Sequence, residues 1–232
     1  MQPLKQSYAI KAFDVGPMQN LIYLITDLET RQTAIIDPAW DISSVNNYIK
    51  DNQLVLKKIL LTHSHHDHIN SIDKILAVHD IEIFLNYKEK IFWGKEYDNF
   101  VVNHGGDIIE LGSTKIKSIH TPGHTPGSTC YYVGDKLIAG DTLFVFGCGR
   151  CDLHGGNPEE MFETLKNLKS SLDKNTIILP GHDYSVKKES TIEEQITGNP
   201  FMHFQDINKF IEYRMHTHDK IRVSPYDAIC KT

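Results

Sequence analysis

The stretch Leu60-Leu61-Thr62-His63-Ser64-His65-His66-Asp67-His68 decides how this chain reads. It directly follows the short apolar run Lys57–Leu61, which has the pattern of a strand, so the histidines fall in a loop at that strand's C-terminal end. While the backbone stays extended, His63 and His65 point to the same side, because strand side chains alternate with period two. A tighter turn after His65 brings Asp67 and His68 round to a second position nearby. Two imidazoles on one side, and a carboxylate with an imidazole on the other, suit two adjacent metal ions. His66 is left over and is expected to be exposed or to support the ligands without binding metal.

Three further segments repeat the theme, which argues against an accidental surface cluster. His124 lies in Thr121-Pro122-Gly123-His124-Thr125-Pro126-Gly127-Ser128, Asp141 in Ala139-Gly140-Asp141-Thr142, and His182 in Leu179-Pro180-Gly181-His182-Asp183. Each follows a strand and is flanked by Gly or Pro, where a scaffold can hold a ligand rigidly.

These motifs resemble the metallo-β-lactamase fold superfamily, in its motif order, over roughly residues 10 to 185. The resemblance implies a four-layer αββα sandwich with mixed sheets. It also implies a ligand set: His63, His65 and His124 for one metal; Asp67, His68 and His182 for the second; Asp141 bridging the two, with Asp67 and Asp141 as catalytic carboxylates. Asp37, which closes the strand Thr33–Ile36, matches the superfamily's early aspartate and would orient the histidine loop. The metals implied are zinc, with iron or manganese accepted by the same N/O ligands. Two such ions, about 3.5–4 Å apart, lower the pKa of a water between them enough to deliver hydroxide near neutral pH. The expected chemistry is metal-assisted hydrolysis, with no serine or cysteine nucleophile.

Within the superfamily, Gly140-Asp141-Thr142-Leu143-Phe144-Val145-Phe146-Gly147-Cys148-Gly149-Arg150 is similar to the segment that glyoxalase II-like thioesterases carry after their bridging aspartate. A thioester suits the site because its thiolate leaves readily without a strong general acid. Glyoxalase II itself places a tyrosine two residues after a basic residue to hold glutathione. Here those positions are Arg150 and Asp152, and the stretch after His182 is short for that family's helical C-terminal domain. The run Gly147-Cys148-Gly149-Arg150-Cys151-Asp152-Leu153, with Gly155-Gly156-Asn157-Pro158, Asn199-Pro200-Phe201-Met202-His203-Phe204 and Ser224-Pro225-Tyr226, more closely resembles the zinc-dependent hydrolases of trans-acyltransferase polyketide clusters of the bacillaene type. That resemblance implies removal of acyl groups from acyl carrier proteins. Carrier proteins are usually acidic, so Arg150, Lys187 and Lys188 are candidate rim cations. Phe144, Phe146, Phe201 and Tyr226 are candidates for an acyl pocket. The rival readings are hydroxyacylglutathione hydrolysis and, from another reaction class, a persulfide dioxygenase with one iron on His63, His124 and Asp141.

Outside the motifs, strands are read at Asn20–Asp27, Thr33–Asp37, Glu82–Leu85, Asp107–Leu111, Lys115–His120, Ser128–Val133, Lys136–Ala139 and Thr176–Leu179. Helices are read at Ile42–Asp51, Ile69–Val78, Pro158–Ser170 and Phe204–His216. Asn157 caps the third of these, with Pro158 at its first position. Many short strands with interspersed helices favour a layered α/β sandwich over a doubly wound fold, and no G-x-G-x-x-G or P-loop pattern follows a strand. We expect a catalytic domain over 1–185 and a short helical extension over 186–232 near the active site.

The chain has 232 residues, 40% hydrophobic and 23% charged, as in an ordinary soluble domain. A net charge of -6 argues against a nucleic-acid binder that relies on its overall field. No run is long enough to span a membrane, and MQPLKQSYAIKAF has no apolar signal core, so a cytoplasmic protein is expected. Cys148 and Cys151 form a C-x-x-C with no second pair to complete a four-cysteine site. These two, Cys130 and Cys230 are expected to be buried or incidental thiols.

Overall fold

A computed structural model describes residues 7–229, so Cys230 lies outside the described residues. Six strands form the first sheet in chain order: β1 (Tyr8–Val15), β2 (Asn20–Asp27), β3 (Gln32–Ile36), β4 (Val55–Leu60), β5 (Glu82–Asn86) and β6 (Phe100–Asn103). β1 to β3 pair antiparallel, and β3 to β6 pair parallel. The second sheet runs β7 (Ile108–Leu111), β8 (Thr114–His120), β9 (Thr129–Val133) and β10 (Lys136–Gly140). After a small hairpin of β11 (Leu143–Phe144) and β12 (Gly147–Cys148), it continues with β13 (Ile177–Pro180) and β14 (Ser190–Thr191).

The period-two pattern of β2 shows why the sheets pack face to face. Leu21, Tyr23 and Ile25 point inward and meet Ile109, Ile116, Tyr131 and Ile138 of the other sheet. Ile22 and Leu24 point outward against Val45 and Ile49 of α1 (Ser43–Asp51) and Ile72 and Ile75 of α3 (Ile72–Leu76). On the far side, Leu137 and Ile178 pack under Met161, Leu165 and Leu168 of α5 (Pro158–Ser171). The layers are therefore αββα, as the resemblance implied.

The tail joins this outer layer. Ile192 of α6 (Ile192–Gly198), Phe201 of a 3₁₀ turn (Pro200–Met202) and Phe210 of α7 (Ile207–Glu212) share the α5 cluster. Among the described residues, no helix is long and apolar enough to cross a membrane.

Two helix expectations need correction. The helix expected over Ile69–Val78 is two short helices, α2 (His66–Ile69) and α3, broken at Asn70-Ser71. The Asp67 carbonyl accepts from the Asn20 side chain (3.0 Å), while the Ser71 N–H donates to Pro38 O (3.1 Å). The i to i−4 bond that would continue the helix is thus diverted. The helix expected over Phe204–His216 begins only at Ile207, where Asp206 caps the N–H groups of Asn208 and Lys209. It then widens into a π-helical turn, Tyr213–Thr217, before α8 (His218–Ile221). Sequence reading missed β1, β6, the β11–β12 hairpin, α6 and α4 (Tyr87–Trp93).

Candidate metal centre

Every expected ligand lies just beyond the C-terminal end of a strand. His63, His65, Asp67 and His68 follow β4, His124 follows β8, Asp141 follows β10, and His182 follows β13. The two sheets are stitched together at this edge by Thr129 N–H to Thr62 O (2.8 Å) and Leu21 N–H to Gly181 O (2.8 Å). Ligands from both sheets therefore converge on one place.

They form two clusters. Donor atoms of His63, His65 and His124 lie within 4.8 Å of one another, as do those of Asp67, His68 and His182. Asp141 stands between them. Its Oδ2 is 3.6 Å from His124 Nε2, while its Oδ1 is 3.3 Å from His68 Nε2 and 3.4 Å from His182 Nε2.

The outward nitrogen of most of these rings is already committed. His124 Nδ1–H donates to Arg150 O (2.7 Å), His182 Nδ1–H to Met18 O (2.8 Å) and His68 Nδ1–H to Asp37 Oδ2 (3.1 Å). His63 Nδ1–H meets Thr62 Oγ1 (3.0 Å), whose own hydroxyl donates to Asp37 Oδ2. The Nε2 atoms of these rings are therefore the ones left to face the site.

The interior of the site fits a cation better than it fits its own side chains. His63 Nε2 is buried with no hydrogen-bond partner, and Asp141 Oδ1 makes none of good geometry. His65 Nδ1 lies 2.9 Å from His124 Nε2, and His68 Nε2 lies 3.2 Å from His182 Nε2. Burial pushes His63 and His65 below their usual range and His124 down to about 4, which keeps these imidazoles neutral. Burial opposes charge on Asp141 too, but His182 and His68 outweigh it and hold the carboxyl well below its usual value. Burial likewise works against protonation of His68 and His182, yet the Asp141 carboxylate raises both. Neutral imidazoles and ionised carboxylates are the ligand forms that zinc, iron or manganese require, so a cation bound here would displace the protons that Asp141 favours on His68 and His182.

Residues around the site hold it in shape. Asp37, at a positive φ of 51°, accepts from the Thr62 N–H (2.7 Å) and from the Thr62 hydroxyl (2.5 Å). Sequence reasoning missed three other supports. Glu89 of α4 is buried and accepts four hydrogen bonds: from Ser64 N–H (2.7 Å) and Oγ–H (2.6 Å), from Thr125 Oγ1–H (2.7 Å) and from Gly127 N–H (3.0 Å). It ties the His63–His65 loop to the His124 loop. Asn20 donates to Asp67 Oδ2 (2.9 Å) and accepts from Trp40 Nε1–H (2.8 Å). Tyr184 stacks on the His182 ring (centroids 4.7 Å apart, 10° between planes) and packs edge-on to Phe144. Gly149 is required by closeness, since a Cβ there would lie 1.9 Å from Asp141 O.

The expected substrate residues are placed unevenly. Arg150 pairs with Asp152 (2.9 and 2.6 Å), Lys187 with Glu194, and Lys188 with Asp14 and Asp183. Phe144, Phe146 and Tyr226 form one small cluster with Val145 and Tyr184, whereas Phe201 packs in the core below α5. His66 is exposed. Cys130, Cys148 and Cys151 are buried free thiols, and burial pushes Cys148 up to about 12.

Comparison with known proteins agrees with this geometry. The probable polyketide biosynthesis zinc-dependent hydrolase BaeB of Bacillus velezensis is 30% identical over 201 residues, covering 87% of this chain and 89% of that protein. A hydroxyacylglutathione hydrolase of Psychromonas ingrahamii is 34% identical over 178 residues, which is 76% of this chain but 64% of that enzyme. The crystal structure of ETHE1 from Myxococcus xanthus superposes with a TM-score of 0.81 at 26% identity, covering 90% of each chain. The family model of the metallo-beta-lactamase superfamily matches residues 15–182, a span that contains all seven expected ligands. The chain is a member of the metallo-β-lactamase superfamily.

Proposed function

We propose that this protein is a dinuclear metal-dependent thioesterase that removes acyl groups from an acyl carrier protein. The observation that carries the dinuclear reading is Asp141, whose two oxygens face the two ligand clusters. His63, His65 and His124 would hold one divalent ion, Asp67, His68 and His182 the other, and Asp141 both. Zinc is favoured by the name of the similar hydrolase, and iron and manganese suit the same donors. Bound there, the pair would supply an activated water and polarise the substrate carbonyl.

The chain's own part is positioning. Asp37 and Glu89 fix the ligand loops, Asn20 orients Asp67, and Tyr184 with Phe144 walls the His182 side against bulk water. A thiolate leaving group departs without a proton donor, so the reaction requires no dedicated general acid.

The carrier-protein reading is supported by the similarity to BaeB, which spans 87% of this chain and 89% of that protein. Glutathione is the second reading, favoured by the 34% identity to a hydroxyacylglutathione hydrolase. Against it, Arg150 is already held at two points by Asp152. The test is a panel of acyl-carrier, coenzyme A and glutathione thioesters offered to the metal-loaded enzyme. We expect the highest kcat/KM on the acyl-carrier substrate. Preference for S-lactoylglutathione would move the assignment to glutathione, and oxygen uptake with a persulfide would move it out of the hydrolases.

A further inference from the structure

The three candidate rim cations are already paired. Arg150, Lys187 and Lys188 each face a carboxylate. Arg222 does not. Its backbone is fixed at the end of α8 by an N–H bond to His218 O (2.8 Å), and its side chain has no ion pair or hydrogen bond among the described residues. Asp227 nearby spends its carboxylate on the Ala228 N–H.

The guanidinium rests on two aromatic rings, 4.9 Å from the Tyr226 centroid and 5.9 Å from that of Tyr184. Tyr184 is the ring stacked on His182. Arg222 also lines, with Phe146 and Tyr226, a cavity of about 200 Å³. A guanidinium held against aromatic rings keeps N–H groups free to recognise carboxylate or phosphate.

We infer that Arg222 is the anion receptor of this site, gripping an oxyanion carried by the substrate. The inference rests on the thioesterase reading and narrows its substrates to charged ones. Tyr184 connects Arg222 to His182 at the ligand cluster. The oxyanion it would grip is a carboxylate, as in glutathione, or the phosphate of a pantetheine arm.

Binding and turnover together provide the test. S-methylglutathione, S-methyl-coenzyme A and the neutral S-methyl-N-acetylcysteamine are titrated calorimetrically into metal-loaded wild type, Arg222→Gln and Arg222→Lys. Hydrolysis of the matching thioesters is measured on the same preparations. Arg222→Gln is expected to weaken at least one anionic ligand about tenfold, the usual scale for losing a charge-assisted hydrogen bond. KM should rise for the matching thioester with kcat little changed, the neutral ligand should be unaffected, and Arg222→Lys should recover part of the loss. Which anionic ligand responds identifies carboxylate or phosphate.

In wild type, added salt should weaken the anionic ligands and spare the neutral one. This arm stands even if a variant folds poorly. Equal loss on all three ligands, or no loss and no salt dependence, overturns the proposal. Thioester hydrolysis that survives such a result keeps the thioesterase reading, whereas anion binding through Arg222 without hydrolysis refutes that reading alone.

Discussion

Glu89 shows how much of the site hangs on a single side chain outside the ligand set. All four of its hydrogen bonds run to the two loops that carry His63, His65 and His124. Glu89→Gln keeps the shape but turns an amide NH₂ toward N–H or O–H donors. It thereby leaves a buried donor unpaired, at a cost of about 1–3 kcal/mol. We predict a folded variant whose metal content falls from two ions toward one per chain, with activity down about 10–100-fold. Elemental analysis of the purified variant checks this, and two retained ions with full turnover would contradict it. The seven candidate ligands were legible because their residue types and strand-end spacing are local facts. Glu89 was not. It lies in α4, a short helix that sequence reading missed although Asn86, three residues before Glu89, caps that helix through the Lys88 N–H. Only the fold reveals that its carboxylate turns to loops 25 to 38 residues away in sequence. Tyr184 and Arg222 were hidden for the same reason, since aromatic stacking across distant segments leaves no periodic trace.

The elements most readable in advance were β8 and α5, each with one clean period, and β2, a continuous apolar run. Those misjudged were shaped by partners elsewhere, as where Asn20 and Pro38 divide α2 from α3. Asp27 at the end of β2 is another such partner. Its buried carboxylate accepts from the Thr30 N–H and hydroxyl (2.8 and 2.7 Å) in the β2–β3 turn. It also accepts from the Ser113 N–H (3.1 Å), Ser113 hydroxyl and Thr114 hydroxyl (both 2.8 Å) in the β7–β8 turn. One charge thus pins the two sheets together at the end of β2. Burial alone would raise its pKa, but these bonds outweigh burial and hold it far below the usual carboxylate range. A depressed folded pKa adds stability that is present above the unfolded value near 3.9 and is lost as pH falls below it. Asp27→Asn should therefore cost about 2–3 kcal/mol at pH 7 in urea unfolding, with the gap to wild type narrowing below about pH 4. A gap that stays constant down to pH 3 would show that the charge is not responsible.

At the scale of the whole molecule, the αββα arrangement has one consequence that matters for function. Strand β4 of one sheet, and β8, β10 and β13 of the other, end at the same edge, so four loops and their expected ligands meet there. The tail closes over the neighbouring face, with Tyr226 N–H donating to Tyr184 O (2.7 Å) and Val186 N–H donating to Tyr226 O (2.9 Å). Tail and catalytic edge are thereby one packed unit around Phe144 and Phe146. The dinuclear mechanism requires that this edge hold a pair of ions. The direct measurement is an anomalous-difference map from crystals of the zinc-loaded protein. We predict two peaks about 3.5–4 Å apart, one among His63, His65 and His124 and one among Asp67, His68 and His182, with Asp141 between them. A single peak, or two peaks with Asp141 turned away from both, would contradict it.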